Sequence, residues 1–193
     1  MPQLWVVAGP NGAGKSTLAA KYLEGRLEMV NPDVIARELD PADPNGERVR
    51  LQAGREAIRR QEAYLARAQD FGFETTLSGR RELEVLRRAK AAGFKVNLVY
   101  VGINSTRAAM GRIRERVASG GHDIPMPDIV RRFERSQANL PRALALADRA
   151  FVLDNSGRRY RLLLSMERGQ VRHVSSNLPS WARATLPRDM QRW

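Results

Sequence analysis

The sequence contains no cysteine and only two histidines, His122 and His173. Disulfide bonds, zinc–thiolate centres and cysteine nucleophiles are therefore excluded, and a histidine-rich metal site is not expected. No apolar run approaches the length that spans a bilayer, and no charged-then-apolar leader pattern begins the chain. We therefore expect one globular domain of 193 residues with a cytoplasmic location and no membrane partner.

Lysine is scarce as well, because only 4 of the 33 basic residues are lysines and the other 29 are arginines. The formal net charge is +12, and the segment from Arg158 to Trp193 carries eight arginines against two acidic residues. Arginine forks bind phosphate bidentately, so this excess indicates an anionic ligand, an acidic partner or nucleic acid. A solvated basic face that follows from arginine-rich codon usage explains the same composition equally well.

A glycine-rich stretch follows the first apolar run, Leu4-Trp5-Val6-Val7-Ala8. It matches the P-loop pattern of glycine, four residues, glycine, lysine and serine or threonine. Glycines let backbone N–H groups turn toward phosphate oxygens, and the helix expected next adds its positive end. Lys15 can reach the β- and γ-phosphates, and the Ser16 hydroxyl can bind Mg²⁺. The predicted ligands of a nucleoside triphosphate are Gly9, Pro10, Asn11, Gly12, Ala13, Gly14, Lys15, Ser16 and Thr17.

Apolar runs typical of strands alternate with amphipathic segments typical of helices along the chain. Strands are predicted at about 3–8, 28–33, 71–77, 95–103 and 149–154, and helices at about 17–23, 34–39, 47–69, 82–92, 106–118 and 127–147. This alternation predicts an α/β fold, with a mostly parallel sheet and helices on both of its faces.

The sequence also predicts details of two of these helices and of the C-terminal region. Leu51, Ile58 and Leu65 repeat every seven residues in the helix at 47–69. Pro141 is expected to kink or split the helix at 127–147. Residues 160–166 and 170–174 predict a C-terminal β-hairpin, and the sequence leaves open whether residues 176–193 fold back on this domain or form a peripheral tail.

Asp33 follows a short strand in Asn31-Pro32-Asp33, where the second strand of an α/β sheet would present a side chain to the nucleotide. A kinase needs a base there to accept the proton of the acceptor hydroxyl. The alternative is a helix cap for the residues that follow, because aspartate is a favoured N-cap residue.

Glu74 lies within the apolar strand Phe71-Gly72-Phe73-Glu74-Thr75-Thr76-Leu77. A carboxylate among aromatic residues is costly unless it is paired or used, so it could orient a substrate hydroxyl or bind the hydration shell of Mg²⁺. A solvated strand face is the alternative. Thr75, Thr76 and Arg80 are further candidates for substrate contacts.

Two arginine-bearing helices flank the loop Ser119-Gly120-Gly121-His122-Asp123 and predict a mobile lid over the triphosphate. Phosphoryl transfer gains from such arginines, because they stabilise charge in the transition state. Salt bridges to nearby acids are the alternative. No strand ends in the paired acids of a motor ATPase, which favours a small-molecule kinase. The candidate arginines are Arg112, Arg116, Arg131, Arg132 and Arg135.

The ordered set of motifs resembles the zeta-toxin family of P-loop kinases between about residues 3 and 157. Beside the P-loop, the set comprises Asn31-Pro32-Asp33, Phe73-Glu74-Thr75-Thr76-Leu77-Ser78-Gly79, Gly120-Gly121-His122-Asp123-Ile124-Pro125, Arg131-Arg132-Phe133 and Asp154-Asn155-Ser156-Gly157. The chain is shorter than the founding members, and the residues beyond about Ser175 are not covered.

This resemblance implies a nucleotide-kinase-like fold with a helical lid. It implies phosphorylation of the 3′-hydroxyl of UDP-N-acetylglucosamine with ATP or GTP and Mg²⁺, and inhibition by an antitoxin protein. By position, it makes Asp33 the catalytic base and makes Lys15 and Ser16 the phosphate and Mg²⁺ ligands. It also matches Glu74 and Thr76 to the substrate strand, and Arg116 and Arg132 to the catalytic lid arginines.

Two other functions stay open at this point. The net charge of +12 and the basic C-terminal segment suit an RNA or polynucleotide kinase, although aromatic residues for base stacking make up only 6% of the chain. A nucleotide-gated binding module, held by an acidic antitoxin, is the non-enzymatic alternative.

Overall fold

A computed structural model describes residues 1–118 and 124–191, apart from the side chain of Arg116. Its strands are β1 (Gln3–Ala8), β2 (Met29–Val30), β3 (Phe71–Thr75), β4 (Lys95–Gly102), β5 (Arg149–Asp154), β6 (Arg161–Glu167) and β7 (Gln170–Val174). They form a seven-stranded sheet in the order β2-β3-β1-β4-β5-β6-β7. The first five strands pair in parallel, and β5, β6 and β7 pair antiparallel. The predicted mostly parallel sheet with a C-terminal hairpin is confirmed.

Helices lie in every connection between the parallel strands, and further helices follow β7. They are α1 (Lys15–Tyr22), α2 (Pro32–Leu39), α3 (Glu47–Ala66), α4 (Arg81–Ala91), α5 (Thr106–Ala118), α6 (Met126–Leu146) and α7 (Ser180–Thr185), followed by a 3₁₀ helix at Arg188–Gln191. None of the helices in the described part of the chain is long and apolar enough to cross a membrane.

The sheet is buried on both faces. Successive side chains of a strand point to opposite sides, so one strand contributes to the apolar layers on both faces. On β1, Leu4 and Val6 join the larger apolar cluster, which includes side chains of α3, α4 and α6. The next residue, Val7, points to the other face and joins a smaller cluster with α1 and α5. The carboxyl ends of the parallel strands therefore meet at one edge, between two helical layers, which is where ligands bind in open α/β sheets.

Two helices differ from their prediction in detail. The helix α6 continues through Pro141 without a break, because Leu140 and Leu144 are completely buried and hold both sides of the proline against the sheet. In α3, Leu51 and Ile58 are exposed, and the buried face is formed mainly by small alanines. The seven-residue repeat thus identified a helix but not its inner face.

The C-terminal segment packs against the domain. Leu178, Trp181 and Leu186 are all buried in the larger cluster. The indole of Trp181 covers Gly102 at the end of β4, where a β-carbon would approach the ring to within 2.2 Å. Its N–H donates to the buried carboxylate of Asp154 at 3.1 Å. The segment is therefore part of the packed core beside β4 and β5.

Candidate nucleotide and acceptor site

The glycine-rich loop joins the end of β1 to the start of α1, as the sequence predicts. Gly9 adopts a φ of +138°, and a β-carbon there would lie 2.0 Å from the carbonyl oxygen of Val101 on β4. Gly14 precedes α1 with a φ of 95° and offers no side chain to cap the helix. The first amides of α1 are therefore available to an anion, as in other phosphate-binding helix starts. The Lys15 Nζ donates to the carbonyl oxygen of Pro10 at 3.0 Å.

Three residues join the loop to the neighbouring strands. Because β3 lies between β1 and β2, Glu74 falls beside the loop and Asn31 at the end of β2. The Ser16 hydroxyl donates to Glu74 Oε2 at 2.8 Å, and Asn31 Nδ2 donates to Glu74 Oε1 at 3.1 Å. Glu74 therefore links the predicted metal ligand Ser16 to Asn31, which lies two positions before the predicted base Asp33.

The Glu74 carboxyl is electrostatically perturbed. Burial is the main reason why its pKa is raised above the usual value for glutamate. The Ser16 hydrogen bond and the charge of Lys15 lower this pKa, while the negative charge of Asp33 raises it further. Since like charges interact only when they are near each other, the two predicted functional carboxylates share one electrostatic environment.

Asp33 lies exposed in the first turn of α2. The helix cap is Asn31, whose side-chain oxygen accepts from the Asp33 N–H at 2.9 Å. Asn31 therefore caps the helix, and the Asp33 carboxylate does not. Asp33 also lines a cavity of about 350 Å³ with Glu47, Arg50 and Leu51 of α3. A small molecule there could reach the carboxylate from the side of α3.

The loop after β3 is held by its own hydroxyl groups. The Thr75 hydroxyl donates to Glu82 Oε1 at 3.0 Å and accepts from the Leu77 N–H at 3.0 Å. The Thr76 and Ser78 hydroxyls bond to each other at 2.8 Å. The Thr75 hydroxyl therefore helps to hold the conformation of this loop, whereas the Thr76 hydroxyl pairs with the hydroxyl of Ser78.

The same loop contains backbone strain. Leu77 is completely buried and adopts a φ of 56°, which is unusual for a residue with a branched side chain. The Asn139 side chain of α6 donates to the Leu77 carbonyl at 2.9 Å and to the Gly79 carbonyl at 3.4 Å. The predicted substrate residue Arg80 is exposed and directly precedes α4. Helix α6 thus supports the strained loop.

The predicted lid arginines lie on α5 and α6. Arg131 forms an ion pair of 2.8 Å with Asp128, and Arg132 lies 4.0 Å from the same carboxylate. These contacts match the salt-bridge alternative, closely for Arg131 and at the limit of an ion pair for Arg132. The side chain of Arg116 and the loop at 119–123, with His122, lie outside the described residues.

Sequence reasoning assigned no role to Asn155 and Tyr160, and it missed the observed position of Arg112. Asn155 donates to the Ala13 carbonyl and Tyr160 to the Gly14 carbonyl, both at 2.8 Å. The Arg112 guanidinium donates to the Asn155 carbonyl at 2.7 Å. In the two P-loop contacts, the bonded residues lie more than 140 positions apart along the chain. No local sequence pattern could therefore reveal them.

The oxygens around Ser16 suit a magnesium ion. Magnesium in such sites keeps several waters and is bound by one or two protein oxygens together with substrate phosphates. The Ser16 hydroxyl and the nearby Glu74 carboxylate provide that kind of donor set. No group of three or more metal-ligating side chains occurs among residues 1–118 and 124–191, so the protein oxygens alone make no separate metal cage there.

Comparison of the sequence with known families finds a match between residues 4–142 and AAA_33, an AAA domain. A protein of Haemophilus influenzae, described as uncharacterized, is 36% identical over 136 residues. That alignment covers 67% of this chain and 95% of the relative.

Solved structures share the fold. The AvrRxo1-ORF1:ORF2 complex with ATP matches with a TM-score of 0.71 at 17% identity, over 99% of this chain and 64% of the matched chain. This chain thus spans less than two thirds of that chain. The PezAT toxin-antitoxin system of Streptococcus pneumoniae matches with a TM-score of 0.62 at 17% identity, over 86% of this chain and 71% of that chain. Kinases are also among the similar structures, and the P-loop kinase-like fold class is confirmed.

Proposed function

The chain belongs to the AAA_33 family of AAA domains, and from that premise we propose that it is a P-loop kinase. It transfers the γ-phosphate of ATP or GTP to a hydroxyl group of a small acceptor. The kinase-like fold and the similarity to a complex solved with ATP support this proposal. Its main support within the molecule is the Ser16–Glu74–Asn31 junction, which joins the phosphate loop to the predicted acceptor side.

In this proposal the residues from Gly9 to Thr17 bind the triphosphate, chiefly through backbone N–H groups, which Pro10 lacks. Lys15 exchanges its contact with Pro10 for the β- and γ-phosphates. Ser16 would hold Mg²⁺ together with the phosphates, and the metal would neutralise charge that develops on them. Arg116 and Arg132 are the lid arginines that stabilise the remaining charge.

Asp33 accepts the proton of the acceptor hydroxyl as its oxygen attacks the γ-phosphorus. The bond from that phosphorus to the β–γ bridging oxygen breaks, and the nucleoside diphosphate leaves with that oxygen. Glu74, Thr76 and Arg80 contact the acceptor. Thr75 acts through the loop that it shapes, because its hydroxyl already donates to Glu82.

The substitution Asp33→Ala tests the assignment of the base. We expect nucleotide binding to stay within about two-fold of the parent and phosphoryl transfer to fall by about 10²-fold or more, because positioned general bases contribute about 10²–10⁴-fold. Binding is measured by calorimetry and transfer with γ-labelled ATP. The control is Asp43→Ala, which removes another exposed aspartate from the loop between α2 and α3. Transfer by Asp33→Ala at the parent rate would show that another group is the base.

The acceptor best supported by the resemblance is UDP-N-acetylglucosamine, phosphorylated at its 3′-hydroxyl. The similarity in fold to the PezAT toxin-antitoxin system also supports an antitoxin protein as the partner. Incubation with γ-labelled ATP and a panel of nucleotide sugars, nucleosides and RNA identifies the acceptor. Label in the nucleotide sugar alone is the expected outcome.

A polynucleotide acceptor is the second candidate, and the net charge of +12 favours it. In that case the label enters RNA, and RNA binding weakens steeply as salt is raised because counterions are released on binding. Absence of label from every compound in the panel, with ATP still bound, would instead identify a nucleotide-gated binding module.

A further inference from the structure

Three consecutive carbonyl groups of the P-loop are held from outside the loop. Tyr160 donates to the Gly14 carbonyl at 2.8 Å, and Asn155 donates to the Ala13 carbonyl at 2.8 Å. Arg112 makes a longer contact of 3.5 Å with the Gly12 carbonyl. Within the loop, the Ala13 N–H donates to the Pro10 carbonyl at 3.3 Å, whereas the Gly12, Ala13 and Gly14 carbonyls face donors from other parts of the chain.

The donors also bind one another. The Arg112 guanidinium donates to the Asn155 carbonyl at 2.7 Å and to the Gly157 carbonyl at 3.5 Å. The Asn155 N–H donates to the Gly102 carbonyl at 2.9 Å, so the end of β4 fixes its backbone. The support is therefore a connected network anchored in the sheet.

The fit is close at Gly14. A β-carbon there would lie 2.5 Å from Asn155 Nδ2 and 2.9 Å from the Tyr160 hydroxyl. Both side chains thus pack directly on the backbone of the residue before α1. The glycine is required by this contact as well as by its φ of 95°.

Asn155 directly follows β5 and Tyr160 directly precedes β6. Both residues lie beyond residue 142, where the match to the AAA domain family ends. The part of the chain that carries the phosphate loop is therefore completed by a connection from outside the matched region.

We propose that Asn155 and Tyr160 are positioning residues that hold the P-loop in its nucleotide-binding conformation before a nucleotide arrives, with Arg112 tying the two supports together. This inference rests on the proposed nucleotide binding. In a trans peptide the N–H points away from the C=O, so fixing the Ala13 and Gly14 carbonyls sets the direction of the Gly14 and Lys15 N–H groups, and less ordering is required when the phosphates bind. The support acts on the phosphates and is independent of the nucleobase.

The substitution Tyr160→Phe tests the inference because it removes a single hydroxyl group. Affinities for ATP and for tripolyphosphate, which has no base, are measured by calorimetry. We expect both to weaken by the same factor of about three- to ten-fold, the loss that corresponds to one net hydrogen bond. Asn155→Ala should weaken both ligands by a factor of similar size, also about three- to ten-fold.

Tyr64→Phe is the matched control, because the Tyr64 ring stacks on Phe71 within the larger cluster. It should leave both affinities unchanged. The melting temperature without ligand should change little in Tyr160→Phe, while the stabilisation that saturating tripolyphosphate produces should fall, since weaker binding gives less stabilisation. A general loss of structure would lower the ligand-free melting temperature first.

The outcomes separate this inference from the proposed function. If the parent binds ATP and tripolyphosphate but Tyr160→Phe binds both equally well, the positioning role is wrong and the proposed function stands. If only the affinity for ATP falls, Tyr160 acts on the base and the inference is also wrong. If the parent binds neither ligand, the proposed function fails and the inference fails with it.

Discussion

At the scale of single residues, Glu74 occupies a predicted functional position in an environment that disfavours its negative charge. Its carboxylate accepts hydrogen bonds from Ser16 and Asn31, yet burial raises its pKa. The folded protein therefore holds a proton at this carboxyl more tightly than the unfolded chain does. The associated stability is present below the pKa of the unfolded state and is lost as the pH rises through the raised pKa of the folded state.

Replacement of Glu74 by glutamine should therefore stabilise the protein at pH 7 while impairing transfer. The amide oxygen can accept from Asn31, and the amide N–H can donate to the Ser16 hydroxyl, which then acts as the acceptor. The amide carries no charge that burial penalises. We expect the melting temperature to rise by about 2–4 °C at pH 7, the shift that about 1 kcal/mol produces in a chain of this size. The difference between Glu74→Gln and the parent should shrink toward pH 4, where the parent carboxyl is protonated.

Calorimetric melting of both proteins from pH 4 to pH 8 provides the measurement. Glu62→Gln is the control with the opposite sign, because hydrogen bonds from Arg88 lower the pKa of Glu62. That substitution should destabilise slightly above the pKa of the unfolded state, with no gain at pH 7. A lower melting temperature for Glu74→Gln at pH 7 would contradict our account of the Glu74 environment.

At the scale of elements, α6 supports the loop that follows β3. The Asn139 side chain bonds to two carbonyls of this loop, and one of them belongs to the strained and buried Leu77. Strained backbone persists only where the surrounding structure holds it, and it is often found at ligand sites. Helix α6 and the predicted acceptor loop are thus joined by these two hydrogen bonds.

The substitution Asn139→Ala should raise the KM for the acceptor more than the KM for ATP, because the P-loop contacts do not involve Asn139. We expect an increase of about ten-fold or more for the acceptor, since about 1–3 kcal/mol is lost when a buried carbonyl is left without its donor. Steady-state kinetics with the acceptor that takes up the label in the panel experiment provide the measurement. Glu134→Ala, on the exposed side of the same helix, should change neither constant. An equal rise for both substrates would rule out a role specific to the acceptor loop.

At the scale of the whole molecule, the C-terminal segment closes the core beside the nucleotide site. Trp181 lies over Gly102 and donates to Asp154, which in turn accepts from the Ser156 hydroxyl at 2.6 Å. The Ser156 hydroxyl accepts from the Asn104 N–H at 2.9 Å. The far end of the chain is thereby packed onto the connections that follow β4 and β5.

The substitution Gly102→Ala should displace Trp181 and destabilise the whole domain. The added methyl group would lie 2.2 Å from the indole ring, and overpacking of this kind costs about 1–3 kcal/mol. Urea unfolding followed by circular dichroism measures the loss, and tryptophan fluorescence reports the displaced ring. Gly54→Ala in α3 is the matched control, because nothing lies within 4 Å of its β-carbon position. It should stabilise by about 1 kcal/mol, the helix preference of alanine over glycine. Equal stability of Gly102→Ala and the parent would show that α7 is not coupled to the domain.

The elements were largely predictable because each depends on neighbours in the sequence. Strand β5 and helix α5 have the predicted bounds, and most other ends moved by only a few residues. Of the seven-residue repeat of α3, Leu65 is buried while Leu51 and Ile58 are exposed, because contacts with the rest of the fold decide which side of a helix turns inward. The continuity of α6 through Pro141 likewise depends on burial of the residues around it.

The sequence by itself determined the phosphate loop, the order of strands and helices, and the carboxylates Asp33 and Glu74 as candidates. These features rest on short spacings, in which residue type and local backbone geometry are sufficient. Only the tertiary structure decided that Glu74 meets Ser16, that Asn139 holds Leu77, and that Asn155 and Tyr160 support the P-loop. Those contacts join residues 58 to 146 positions apart, and they form because the parallel sheet brings the ends of distant strands to one edge.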